Sequence, residues 1–74
     1  MVLVGNPSSP LTEREQQVLY LVACGLSNRE IASRLFLSEQ TVKTHLSSML
    51  AKSRRRNRAG LVSYGYESGI LGLA

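Results

Sequence analysis

Apolar residues recur with a helical period over most of this chain. Val18, Leu19, Leu21 and Val22 lie at the spacing of one helix face. Thr12 and Glu15 stand ahead of them as a capping box, in which each side chain satisfies a free backbone N–H of the other residue. Gly25 can stop that helix as a left-handed cap. Ser27 and Glu30 repeat the box before Ile31, Ala32 and Leu35, the buried stripe of a short second helix. Phe36 and Leu37 leave the stripe. Ser38 then caps a third helix from Glu39 to about Lys52, where Val42, Leu46, Met49 and Leu50 share one narrow arc. A fourth helix is predicted from Arg58 to about Ser68, capped by Asn57 and stopped by Gly69. Gly60 and Gly65 inside it each cost about 1 kcal/mol relative to Ala. No segment alternates with the period of a strand, and no internal repeat is visible.

The fold class is therefore all-α, a four-helix bundle. The second and third helices are joined by only about three or four residues, the length of a helix-turn-helix connection. Residues 1–10 stand apart. Gly5, Asn6, Pro7, Ser8, Ser9 and Pro10 crowd together, a composition that sustains neither helix nor strand. They read as a linker or disordered N-terminal tail ahead of a domain over 11–74. A chain of 74 residues buries only roughly 60% of its unfolded surface, too thin a core to wall off an enzyme pocket. No catalytic group, cofactor or metal is expected. His45 has no partner for metal or triad chemistry, and the lone Cys24 reads as a small core residue of a helix. With no disulfide possible inside the chain, a reducing cytoplasm is the expected location. No basic stretch leads into an apolar run as a signal peptide would, and no segment suits a membrane span of roughly 20 residues.

Charge narrows the partner. Nine Lys and Arg against five Asp and Glu give a formal net charge of +4, which suits an anionic partner. The outward face of the third helix carries Gln40, Lys43, Thr44 and Ser47. An α-helix fits the DNA major groove, where Gln can pair with adenine, Lys with guanine, and Thr can touch a thymine methyl. An ordinary solvated helix surface has the same look, and the short preceding helix, tight turn and downstream basic cluster favour DNA. That cluster is Lys52, Arg54, Arg55, Arg56 and Arg58. Guanidinium forks match phosphate oxygens, although a solvated loop or cations at a helix C-terminus would read alike. The start of the second helix, with Asn28 and its free N–H groups, is another phosphate candidate.

At these residues the chain resembles the LuxR-type DNA-binding domain of the LuxR, GerE and NarL/FixJ regulators. The resemblance rests on Leu11-Thr12-Glu13-Arg14-Glu15, on Gly25 through Ala32, and on Leu37-Ser38-Glu39-Gln40-Thr41-Val42-Lys43-Thr44-His45. It implies sequence-specific binding of double-stranded DNA by a bacterial transcriptional regulator, as the output domain of a response regulator or as a stand-alone GerE-like protein. It further implies base contacts at Gln40, Lys43 and Thr44, with Ser47 near the DNA, and phosphate contacts at Asn28 and Thr41. Lys52, Arg54 and Arg56 are the cluster members taken as further phosphate contacts. A homodimer on an operator of two half-sites would pair through Ala59, Val62, Ser63 and Tyr66, with RNA polymerase a further partner and the bacterial nucleoid the location. The chain departs from the family after Lys52. Ser53 falls on the core arc, where its hydroxyl needs a carbonyl such as that of Met49, and Arg54 stands where a glycine often permits a left-handed turn.

Two rivals remain. Binding of single-stranded RNA relies on exposed aromatics, and Tyr20, Phe36, Tyr64 and Tyr66 all lie off the third helix. A helical protein-interaction module without DNA reading would need an exposed apolar stripe there, and the sequence has none.

Overall fold

Each helix starts where its cap stands. α1 (Glu13–Ala23), α2 (Asn28–Leu35), α3 (Glu39–Ser53) and α4 (Arg58–Glu67) follow directly on Thr12, Ser27, Ser38 and Asn57. Each of those four side chains accepts a backbone N–H from three residues on, relieving one orphan donor of the helix start. The structure, a computed structural model, describes residues 1–73. Within them the fold is all-α apart from two short strands, β1 (Val2–Leu3) and β2 (Leu71–Gly72).

Left-handed residues end the first three helices. Gly25 takes φ +92° after α1, and the Leu26 N–H returns 3.2 Å to the Leu21 carbonyl. Phe36 ends α2 at φ 58°, and Leu37 N–H reaches the Ala32 carbonyl at 2.8 Å. Arg54 ends α3 at φ 58° and ψ 33°. The left-handed turn that the resemblance implies is thus kept without a glycine, at the roughly 1–2 kcal/mol that such a conformation costs an L-residue. Helix four therefore forms at its expected place despite the departure after Lys52. Ser53 is buried as expected, but its hydroxyl donates to the Leu50 carbonyl at 3.2 Å rather than to Met49.

Leu19 of α1, Ile31 of α2, Val42 and Met49 of α3, Leu61 of α4 and Ile70 meet in the core, all fully buried. α2 packs on α3, and α1 crosses α3 and α4. Gly65 explains itself here. A Cβ at that position would lie 2.7 Å from Leu71 Cδ1 and 3.1 Å from Leu19 Cδ2, so its low helix propensity is offset by close approach of α4 to the core.

The first ten residues are not a free tail. β1 pairs antiparallel with β2, Val2 opposite Gly72 and Leu3 opposite Leu71. The N–H groups of Val4 and Gly5 both donate to the Ile70 carbonyl, at 2.9 and 3.0 Å. Gln16, buried on α1, accepts the Asn6 N–H at 2.8 Å and donates to the Asn6 and Leu11 carbonyls. Asn6 Nδ2 in turn donates to the Ser68 carbonyl at 2.9 Å. Composition marked these residues as a linker or tail and missed the partners that hold them. Cys24 also departs from expectation: it sits past the last turn of α1 and is exposed, not in the core. Among the described residues, no helix is long and apolar enough to cross a membrane.

Candidate nucleic-acid interface

α3 is held by one face and free on the other. Val42, Leu46 and Met49 are buried, while Gln40, Lys43, Thr44 and Ser47 are exposed. At 3.6 residues per turn those four side chains fall within about 100° of arc. The Thr44 hydroxyl donates to the Gln40 carbonyl at 3.0 Å, which leaves its methyl and its oxygen lone pairs to face outward. Lys43 makes no ion pair among the described residues. Thr41, half-buried at the edge of this face, has its Oγ1 2.9 Å from the Ser38 Oγ of the cap. In the turn before α3, the left-handed conformation of Phe36 leaves its ring 95% exposed.

Next to the first turns of α3 lies an open groove of about 650 Å³, bounded by Ser27, Asn28, Glu30, Lys43 and Arg58 among others. Two loop-separated helix starts, those of α2 and α4, meet at its edge through Arg58. Its Nη1 donates to Asn28 Oδ1 at 2.6 Å and its Nη2 to the Leu26 carbonyl at 2.9 Å. The Glu30 carboxylate accepts the Ser27 N–H at 2.9 Å, and bonds with the backbone and hydroxyl of Ser27 hold its pKa below the ordinary carboxylate range.

The basic cluster read from the sequence divides into two groups. Lys52 pairs with Glu15 at 2.7 Å. Burial pushes the Glu15 pKa up, but the Lys52 ammonium, the Thr12 N–H and Ser48 outweigh it and hold the carboxyl below its usual value. Lys52 thus joins the end of α3 to the start of α1 while its side chain stays 35% exposed. Arg55 pairs with Glu67 and lies 5.7 Å from the Tyr64 ring centre, fastening the α3–α4 link to α4. Arg58 forms the bridge to α2. Arg54 and Arg56 remain exposed with no ion pair among the described residues. Neither the Lys52–Glu15 pair nor the Arg58–Asn28 bond had a local signal, since each joins residues 30 or more positions apart.

On α4, Ala59, Ser63 and Tyr66 are exposed and Val62 is half-buried, and their spacing puts all four on one face. The face is small and mixed, with the Ser63 hydroxyl 3.4 Å from a Glu67 oxygen. Among the described residues no group of three His, Cys, Asp or Glu could hold a metal ion.

Residues 9–64 match the family described as GerE, bacterial regulatory proteins of the luxR family. The nitrate/nitrite response regulator protein homolog of Haemophilus influenzae is 44% identical over 62 residues, covering 84% of this chain and 30% of that protein. The response regulator protein VraR of Staphylococcus aureus is 43% identical over 61 residues, covering 82% of this chain and 29% of its own length. In three dimensions, the response regulator ChrA of a heme-sensing two-component system superposes with a TM-score of 0.81 at 37% identity, over 92% of this chain and 34% of that one. The chain thus spans about 30% of the length of the curated relatives it matches.

Proposed function

Because the chain belongs to the luxR family of bacterial regulatory proteins and carries that family's helix-turn-helix DNA-binding domain, we propose that α3 enters the major groove of double-stranded DNA. Gln40, Lys43, Thr44 and Ser47 then meet base edges, and Asn28, Thr41, Arg54 and Arg56 meet phosphates on either side. Phosphate contacts fix register and orientation, and base contacts carry the sequence preference. Lys52, paired with Glu15 but with its side chain 35% exposed, adds a further phosphate contact at the end of α3. The observation that carries the reading is the two-sided character of α3: buried apolar residues on one face, and on the other an exposed arc of polar side chains with an unpaired lysine at its edge. An interaction helix would present apolar bulk there, and this one does not.

The domain is proposed to act as the output module of a transcriptional regulator, as the names of its relatives suggest, with RNA polymerase as a further partner and the bacterial cytoplasm as its place. One domain reads few base pairs, so pairing on two half-sites about one helical turn apart is proposed, through Ala59, Val62, Ser63 and Tyr66. Sequencing DNA fragments selected by the purified chain tests the reading. Enrichment of a motif repeated at a fixed spacing is expected, and a flat sequence distribution would contradict base reading. On such a site, Val62→Asp should abolish cooperative filling of the two halves in a gel shift. Unchanged cooperativity would put the pairing surface elsewhere.

A further inference from the structure

Arg58 occupies an electrostatically awkward place. It is the first residue of α4, where the helix dipole disfavours a cation, and α4 has no acidic residue in its first turn. Its guanidinium also reaches the start of α2, a second positive helix end. Arg29 and Lys43 border the same groove, against Glu30 and Glu39. The Glu30 carboxylate accepts the Ser27 N–H and makes no ion pair with Arg58 among the described residues. What the guanidinium does hold is specific: the Asn28 Oδ1 at 2.6 Å and the Leu26 carbonyl at 2.9 Å.

A guanidinium has donors only, so it can bind the oxygen end of an amide and never the nitrogen end. The Arg58–Asn28 bond therefore fixes which end of the Asn28 side chain is free. Nδ2, a donor with no protein acceptor among the described residues, is the end left to the groove. Without Arg58 the amide could turn over and offer an oxygen to a phosphate, which repels it. We propose that Arg58 is a positioning residue for phosphate binding: it locks the Asn28 amide with its NH2 toward the DNA backbone while it ties α4 to the start of α2. The proposal rests on the DNA-binding reading. It adds a cation whose effect depends on its fork geometry as well as on its charge. A lysine is a point charge and cannot span both acceptors in one plane.

Phosphate contacts are independent of sequence, so the probe is a fluorescein-labelled 30-base-pair duplex of mixed sequence, titrated at low salt and followed by anisotropy. If the wild-type chain fails to bind it, the DNA-binding reading falls and this proposal with it. Given binding, Arg58→Ala should weaken it about tenfold, as loss of a charge-assisted bond and one counterion-releasing site predicts. Arg56→Ala removes the same charge two positions away and should cost about threefold or less. Arg58→Lys keeps the charge and should regain no more than the roughly threefold that charge alone is worth. Adding Asn28→Ala to Arg58→Ala should cost little more, because the two residues act as one unit. Because Arg58 is exposed, the urea midpoint of each variant should stay near that of the wild type. Full rescue by lysine, or additive losses in the double variant, would show that Arg58 contributes charge alone and would overturn the proposal. Equal losses for Arg58→Ala and Arg56→Ala would do the same.

Discussion

The two capping boxes of this chain share one sequence pattern and do different work. In the first, Thr12 and Glu15 exchange bonds at 3.1 and 2.9 Å; in the second, Ser27 and Glu30 exchange bonds at 3.2 and 2.9 Å. Glu15 is 3% exposed and pairs with Lys52 from the last turn of α3, so its box ties the start of α1 to the far end of the candidate reading helix. Glu30 is exposed and, among the described residues, hydrogen-bonds its own cap, so its box shapes a helix start that stays open to the groove beside Asn28. Local geometry sets what a cap satisfies. Burial and the distant partner set how much the fold depends on it.

Removing each carboxylate tests that contrast. Glu15→Ala should be the most damaging change, because it leaves the Thr12 N–H and the Lys52 ammonium without their shared acceptor. Breaking a fully buried pair costs roughly 3–5 kcal/mol. With the Lys52 side chain 35% exposed, a loss of about 2–3 kcal/mol is expected from urea unfolding. A loss no larger than that of an ordinary exposed cap would mean the ion pair adds nothing to the box.

Acid tests the inner box as well. The folded pKa of Glu15 lies below its ordinary value, so the folded chain binds fewer protons than the unfolded one in that range. Its contribution is therefore complete above the unfolded carboxylate pKa and is lost as pH falls through the lowered folded value. Glu15→Gln should flatten the decline of the urea midpoint between about pH 5 and 3. An equally steep decline in the variant would place the acid sensitivity on other carboxylates.

The smallest effect belongs to the outer box. Glu30→Ala should lower stability by less than Glu15→Ala does, since solvent can replace what the exposed carboxylate supplies. It also removes an anion from the rim of the groove. Binding to a mixed-sequence duplex at low salt should tighten by up to about twofold. Weaker binding would mean that the cap is needed to hold the start of α2 in place.

The same division decides what the sequence made legible. Caps at Thr12, Ser27, Ser38 and Asn57 act across three residues, and all four helix starts could be placed from them. The exposed arc of α3 followed from its apolar period. Contacts between distant positions carry no such mark. Nothing beside Gln16 announces that its amide closes on Asn6, nothing beside Lys52 announces Glu15, and Val2–Leu3 is too short to show a strand period. Arg54 is a different case. The usual glycine signal was missing, yet the Arg55 N–H still reaches the Leu50 carbonyl at 3.1 Å, because packing of α4 fixes the turn that local preference does not favour.

Lys43 offers the most direct test of what α3 does. It is exposed on the outward arc, free of ion pairs among the described residues, and borders the groove that Asn28 and Arg58 share. Lys43→Ala should be titrated at one fixed salt concentration against a site selected by the wild-type chain and against the same duplex scrambled. Loss of about 1–3 kcal/mol on the selected site, with a much smaller loss on the scrambled one, is the result expected of a base-reading lysine. Equal losses on both duplexes would contradict it and reduce Lys43 to a backbone contact.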